Sequence, residues 1–290
     1  MSYTIVTDSC SNLPESIIDK YNLVVLPMIF MIDGTEYTSY LKGEVTDLKQ
    51  FYTMMREGKV ITTSLPNQSQ SLETIKALLD EGSDVLYLGF SSALSSTYES
   101  IRLMCAQLAE EYPERTLMTV DTLAASMGEG LMVVKAAERK EQGATLEEVH
   151  AWVEENKLNF CHWFTVDDLM YLYRGGRVSK TSAYAANILS IKPILHVDDE
   201  GALIPMEKVR TRKKSIKALV DHMAETAFEP IADQTIYISH GDCLEEAELL
   251  RDLIKERFGC EHFLINYIDP VIGAHSGPGT LALFFQGNPR

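Results

Sequence analysis

The chain has 290 residues, a formal net charge of −16 and an apolar fraction of 46%. That length and apolar content suit a globular protein with a sizeable core and room for two domains. The charge argues against nucleic acid, which needs a basic stripe, and against adhesion to an anionic membrane by charge alone.

It does not exclude an anionic small ligand, because a few local donors outweigh distant screened charges. The five cysteines (Cys10, Cys105, Cys161, Cys243, Cys260) form no CxxC pair. They read as reduced thiols, not as a disulfide frame or zinc site. The N-terminal MSYTIVTD passes straight into a strand pattern without a secretory leader. No apolar run reaches the ~18 residues of a membrane span. The expectation is a soluble cytoplasmic protein, and a monomer, since no self-complementary surface is visible.

Strand and helix signals alternate along the chain. Thr4–Asp8 is a short β-rich run, and Pro14 opens a helix through Tyr21. Val24–Ile32 reads as one apolar strand, with a turn at Asp33-Gly34 and a hairpin return at Glu36–Thr38. A small β-hairpin insertion is thus expected within 26–42. Thr46–Arg56 reads as a helix capped by Thr46. Val60-Ile61 leads into a polar loop, Thr62–Ser69, and then a helix over 69–81. Asp84–Phe90 is a buried-type strand followed by Ser91-Ser92-Ala93-Leu94-Ser95-Ser96-Thr97 and a helix reaching Tyr112. Arg115–Val120 is a strand, and a helix rich in small residues (Ala124, Ala125, Ser126, Gly128, Gly130) runs to Gln142. Strand, loop and helix repeated in this order predict a parallel sheet covered by helices, with ligands at the carboxyl ends of the strands.

A helix over 143–158 capped by Thr145 closes a first domain, 1–159, and a second, α+β domain spans 160–290. Its predicted elements are a strand at Phe160–Phe164, a hairpin of Lys192–Val197 with Leu203–Val209, helices over 212–227 and 243–258, and strands over 234–240 and 262–268. The stretch Gly273-Ala274-His275-Ser276-Gly277-Pro278-Gly279 reads as a glycine-rich loop holding an imidazole before the apolar run Leu281–Phe285.

Two hydroxyl clusters precede helices: Thr62-Thr63-Ser64 and Ser91, Ser92, Ser95, Ser96 and Thr97. Helix capping needs one hydroxyl per helix. The excess points to an anionic group, such as a carboxylate, held at helix N-termini with help from His275. Each single hydroxyl is equally well read as a cap. Asp8 reads as an acid that ties its loop to backbone amides, since no second acid sits at metal-ligand spacing. Arg174-Gly175-Gly176-Arg177, with Lys208, Arg210, Arg212, Lys213 and Lys214, concentrates positive charge. It is read equally as a solvated face or as a site for a phosphate or an acidic partner. There is no Gly-x-Ser-x-Gly elbow, Walker loop or GxGxxG, so a hydrolase or nucleotide-binding reading has little to rest on.

The motifs Thr7-Asp8-Ser9-Cys10 with Leu13-Pro14, Thr63-Ser64-Leu65-Pro66-Asn67, Ser91–Tyr98, Asp121-Thr122 with Ser126–Gly130, Asp168–Leu172 with Gly175-Gly176-Arg177, Lys192–Leu195 and Gly273-Ala274-His275, in this order, resemble the DegV family. The resemblance covers the whole chain. It implies an α/β, two-domain DegV-like fold: an N-terminal parallel sheet flanked by helices, a C-terminal α+β domain, and a lipid site between them. It further implies a long-chain fatty acid as ligand, no cofactor or metal, and no catalysis by this chain alone. A separate kinase partner would use ATP to turn the presented carboxylate into an acyl phosphate.

On this resemblance Thr63, Ser95 and His275 hold the carboxylate, with Thr62 and Ser96 as neighbours, and Arg177 and Arg210 face the partner. Ser96 stands where the family usually has glycine. Met28, Phe30, Ile32, Met127, Ile188, Ile191 and Ile194 are candidate walls for the acyl chain. Alternatives are a hydrolase or phosphotransferase using His275, and a lipid-sensing regulatory module.

Overall fold

The computed structural model describes residues 2–44, 46–179 and 191–288. Its strands are β1 (Tyr3–Asp8), β2 (Val24–Leu26), β3 (Ile29–Ile32), β4 (Thr35–Thr38), β5 (Ile61–Ser64), β6 (Asp84–Gly89), β7 (Leu117–Asp121), β8 (Phe160–Thr165), β9 (Ile191–Val197), β10 (Leu203–Arg210), β11 (Thr235–His240), β12 (His262–Tyr267) and β13 (Leu281–Gln286). The α-helices are α1 (Glu15–Lys20), α2 (Leu48–Arg56), α3 (Gln68–Asp80), α4 (Thr97–Glu111), α5 (Met127–Glu141), α6 (Leu146–Asn156), α7 (Met170–Arg174), α8 (Arg212–Thr226), α9 (Leu244–Phe258) and α10 (Pro270–Ser276).

Asp84-Val85-Leu86-Tyr87-Leu88-Gly89 has no polar alternation, as expected of a strand covered on both faces. It is β6, buried throughout, inside a parallel sheet of order β2-β1-β6-β7. Strand parity then sorts the core. Val85 and Tyr87 join Val6 and meet Ile75, Leu79, Ile101 and Leu108 of α3 and α4. Leu86 and Leu88 join Ile5 and meet Leu131, Val149 and Val153 of α5 and α6. This is the α/β layering that the alternation of elements predicts.

The second large sheet has the order β10-β9-β8-β13-β11-β12. On one face Trp163, Ile194, Leu283 and Ile238 pack with α8 and α9. On the other, Phe164, Leu195, Ala282 and Phe284 share a core with α5. Helix α5 therefore lies between the two sheets, and its residues from Met127 to Val134 are all buried. A helix enclosed on every side must be apolar or small all round. Its glycines follow from this: a Cβ on Gly128 would lie 2.0 Å from Nε2 of His162, and one on Gly130 2.5 Å from the Ser11 carbonyl.

The third sheet, β4-β3-β5, is antiparallel. Asp33 (φ 51°) and Gly34 (φ 82°) make the tight turn of its hairpin, within the stretch where an insertion is predicted. Several local expectations differ from the structure. Val24–Ile32 divides into β2 and β3, which belong to different sheets. Pro27 supplies no backbone donor to continue the ladder, and the next N–H, of Met28, goes to the Ser9 hydroxyl at 3.0 Å. Thr62-Thr63-Ser64 lies in β5, paired with β3, and not in a loop. Helix α2 is capped by Asp47, whose carboxylate accepts from the Gln50 amide at 2.9 Å, and not by Thr46.

The glycine-rich stretch before β13 begins as helix α10. Asp269 accepts from the amides of Ile272 (3.0 Å) and Val271 (3.3 Å), and Pro270 occupies the first turn. Gly277 (φ 84°) ends it, so His275 sits in a last helical turn.

Helix α5 also carries an acid into the junction of the sheets. Glu129 is fully buried, accepts from the Thr7 hydroxyl at 2.8 Å on Oε1, and has no partner on Oε2. Burial, then the charge of Asp8, pushes its pKa well above the carboxylate range; burial also raises Asp8, and raises Asp269 to about 6. A raised acid holds a proton in the native state that the unfolded chain has released, so it costs stability as pH rises through the folded pKa. His275 and His240, both pushed down to about 4 by burial, act with the opposite sign below the unfolded imidazole value of ~6.5. Above that imidazole value these histidines are uncharged in both states, and of these groups only the raised acids contribute to the slope. We expect Glu129 to make the unfolding free energy fall as pH rises from the ordinary carboxylate value towards its own raised one, by up to about 1.4 kcal/mol per pH unit for the proton retained. Glu129→Gln should flatten that slope in denaturant titrations; an unchanged slope would show that Glu129 carries no proton there.

Candidate functional site

A cavity of about 420 Å³ opens where the three sheets converge. Its walls are mostly apolar: Met28 and Phe90 at one side, Phe164, Val197 and Ala282 from the second large sheet, and Ile272 from α10. Parity supplies the sheet-borne wall. Phe164 pairs with Ala282 and Leu195 across the β8–β13 and β8–β9 ladders. Their opposite neighbours, Trp163 and Ile194, belong to the core beneath α8 and α9.

Polar groups gather along one side of this cavity. Thr63 lies on β5 opposite Phe30 of β3, and its hydroxyl is 2.8 Å from Nε2 of His275, 212 residues away in sequence. Thr62, one residue earlier on β5, is exposed and is not part of the cavity lining, whereas Thr63 and Ser64 are. Burial, and then the positive charge of Arg177, pushes the His275 pKa down to about 4. The imidazole is therefore uncharged at neutral pH and serves as a hydrogen-bonding group.

Ser95 and Ser96 both line the cavity at the start of α4. The Ser95 hydroxyl lies 2.8 Å from the Thr97 hydroxyl and accepts from the Thr97 amide at 3.3 Å. Ser96 occupies the N-cap position of α4, is exposed, and makes no side-chain cap bond. Ser91 and Thr97 of the cluster are used structurally. Ser91 donates to the Gly201 carbonyl at 2.9 Å, which ties the loop after β6 to the β9–β10 turn, and Thr97 contacts the Met28 sulfur at 3.5 Å.

Arg177 also lines the cavity. Its Nε donates to the Leu94 carbonyl at 3.0 Å and Nη1 donates to the Gly175 carbonyl. Among the described residues no carboxylate pairs with it, and burial lowers its pKa from the usual guanidinium value. A half-buried cation with only backbone carbonyls as partners is an unneutralised charge facing the cavity. Arg210 lies apart from this set, exposed at the end of β10, with Lys213, Lys214 and Lys217 exposed on α8.

Asp8 is fully buried and ties its loop as expected: it accepts from the amides of Cys10 (3.0 Å) and Phe90 (3.1 Å) and from the Tyr87 hydroxyl (3.0 Å). Asp121 likewise accepts from the amides of Ser92 and Leu123 at 3.2 and 3.1 Å. Among the described residues no group of three or more His, Cys, Asp or Glu side chains could hold a metal ion, and no helix is long and apolar enough to cross a membrane.

Of the predicted acyl-chain walls, Met28 lines the cavity. Met127 and Ile194 are fully buried in the main cores, while Phe30 and Ile32 pack with α2 at the small sheet. Ile191 is not part of the lining, and Ile188 falls outside the described residues. Sequence reasoning missed His162 and Phe164 of β8 and Leu94 and Phe90 beside the serine cluster. The buried His162 has Nδ1 2.7 Å from the Phe160 carbonyl, and Nε2 accepts from the Ala125 amide at 3.4 Å. The signal available for it was the period of two in Phe160-His162-Phe164.

The DegV family model, described as an uncharacterised protein of that family, matches residues 2–288. A DegV domain-containing protein of Clostridium perfringens is 43% identical over 288 residues, covering 99% of this chain and 98% of its own length. Among solved structures, a DegV lipid-binding protein of Thermotoga maritima matches with a TM-score of 0.85 at 30% identity, over 100% of both chains. A DegV family protein of Thermus thermophilus, described for its fatty acid binding, also matches with a TM-score of 0.85 at 30% identity, over 99% of this chain and 100% of that one. Whole-chain coverage in both sequence and fold leaves one conclusion: the chain belongs to the DegV family.

Proposed function

We propose that the cavity holds a long-chain fatty acid, with its carboxylate at Thr63, Ser95, His275 and Arg177 and its acyl chain along the apolar walls. The observation that carries this reading is the Thr63–His275 contact beside the unneutralised Arg177, at the edge of a mostly apolar cavity. The volume of about 420 Å³ lies within the range of small-molecule sites, roughly 300–1,000 Å³. The fatty acid and lipid binding described for the two structural relatives supports the same ligand.

The hydrogen bonds work as follows. A carboxylate only accepts. Thr63 must then turn its hydrogen to the ligand, and the uncharged imidazole donates from Nε2 to the Thr63 oxygen. Ser95 gives a second hydroxyl and Arg177 the positive charge. Each buried methylene contributes about 0.8 kcal/mol, so ten contribute about 8 kcal/mol before association costs. A charge-assisted hydrogen bond contributes about 1.5–3 kcal/mol. Affinity thus comes mainly from the chain, and orientation from the head.

In this reading the protein is a carrier that presents the carboxylate to a separate ATP-dependent kinase for acyl phosphate formation. Arg210 and the exposed lysines of α8 offer that partner a basic surface on an acidic protein. A hydrolytic role for His275 is less well supported. Nε2 meets a threonine, Nδ1 lies against Gly175, and the carboxylates of Asp8 and Asp121 are taken by backbone amides.

Denaturing mass spectrometry of protein purified from cells should release long-chain fatty acid; protein that is repeatedly lipid-free and takes up none when offered it would refute the reading. Ser95→Ala and Thr63→Val should each weaken fatty acid binding by about 1–2 kcal/mol, roughly 5- to 30-fold, with melting temperature nearly unchanged. Calorimetric titration checks both, and wild-type affinity in either variant would remove that residue from the head-group site.

The protonation states give a second check. With His275 uncharged down to about pH 4, the head-group charge is set by Arg177, so affinity should be level from pH 6.5 to 8. Arg177→Met should cost about tenfold, whereas His275→Gln, which keeps an N–H for Thr63, should cost less than His275→Ala. An affinity that instead tracks a group titrating near the ordinary imidazole value would overturn this assignment.

A further inference from the structure

Gly175 ends α7 at φ −71° and ψ −11°, a right-handed conformation open to any residue. Its neighbour Gly176, at φ 76°, needs glycine for its backbone; Gly175 does not. What excludes a side chain at 175 is the imidazole of His275. An added Cβ would lie 2.3 Å from its Nδ1 and 3.2 and 3.3 Å from Cγ and Cε1. The ring has little room to retreat, because its opposite edge is held by the Thr63 hydroxyl at 2.8 Å.

The contact is matched by a second one in the reverse sense. A Cβ on Gly277, just past α10, would lie 2.5 Å from Cδ2 of Tyr171 on α7. Tyr171 and Gly175 are joined by the Gly175 amide donating to the Tyr171 carbonyl at 3.0 Å. So α7 and α10 dock by two ring-on-glycine contacts, each element giving one ring and one bare backbone. The Gly175 carbonyl meanwhile accepts from Nη1 of Arg177.

We propose that Gly175 is a positioning residue for the anion site: its bare backbone seats His275 against Thr63, and its carbonyl aims Arg177 at the same place. One residue thereby registers the uncharged donor and the cation against each other. The affinity readout rests on the fatty-acid reading above; the titration readout below requires no ligand.

The test is a cycle of Gly175→Ala, His275→Ala and the double variant. Each is followed by fatty acid titration, thermal melting and a side-chain NMR pH titration of the histidines. In the wild-type background Gly175→Ala should weaken binding about tenfold. It should also raise the midpoint of the His275 titration from about 4 as the ring is driven from its buried seat. In the His275→Ala background the same change should have no further effect on binding, because the clashing ring is gone, and should not lower the melting temperature. If Gly175→Ala alone folds poorly, recovery of the melting temperature in the double variant reports the same clash. Equal losses in both backgrounds, or an unmoved His275 titration with unchanged binding, would overturn the proposal. Failure of every form to bind fatty acid, with the titration shifted as expected, would count against the fatty-acid reading and leave the positioning role standing.

Discussion

The hydrogen bond between Thr63 and His275 is the constraint on which the site depends. It joins a strand of the small antiparallel sheet to the last turn of a helix 212 residues later. Neither group could be placed without the other's element. Thr63 is aimed by the alternation of β5, whose register opposite β3 sets which threonine of the pair looks inward. His275 is aimed by α10, whose start is fixed by the Asp269 cap and Pro270 and whose end is fixed by Gly277. A short helix with caps at both ends gives the residues of its last turn a defined direction, which a glycine-rich loop would not.

That constraint explains why burial is arranged as it is. A charged imidazole beside Arg177 would be costly in a half-buried site, and burial with the neighbouring guanidinium keeps it neutral. Among the described residues that line the cavity the positive charge resides on Arg177, held by two backbone carbonyls. Pairing Arg177 with an internal acid would stabilise the empty protein and remove the attraction for an anion. Asp8 and Asp121 are instead engaged by backbone amides.

Much of this fold was legible in the sequence because the physics is local. The unbroken apolar run of β6, the hairpin at Asp33-Gly34 and the capping box of Thr145 with Glu148 are each signalled within a few residues. The failures share another origin. Val24–Ile32 is uniformly apolar, yet its halves serve two sheets, and only the hydroxyl of Ser9 shows where the Met28 amide goes. Met127 and Ile194 are as apolar as any cavity wall, and their places were decided by α5 being enclosed and by the parity of β9. Thr63, Ser95 and His275 were picked out by residue type and by family resemblance. The parts that hold them, Gly175 above all, become visible only when α7 is seen against α10, because a glycine that fits its own backbone carries no local signal.

A net charge of −16 opposes an anionic ligand at long range. Screening resolves this, since the Debye length is ~8 Å at physiological ionic strength and exposed charges farther than that from the proposed site act on it weakly. In the proposed site a carboxylate would interact with Arg177 and the hydroxyls of Thr63 and Ser95 in a lower dielectric, where each interaction is stronger. The acidic exterior then acts on a different process. It repels anionic surfaces and nucleic acid in general while leaving Arg210, Lys213, Lys214 and Lys217 as an exposed basic stretch on β10 and α8. In the proposed reading, a partner carrying complementary negative charge would be steered to that stretch. On that reading an acidic exterior and a buried carboxylate are compatible, because the head group would be held by local donors and the partner would meet the exposed basic stretch on β10 and α8.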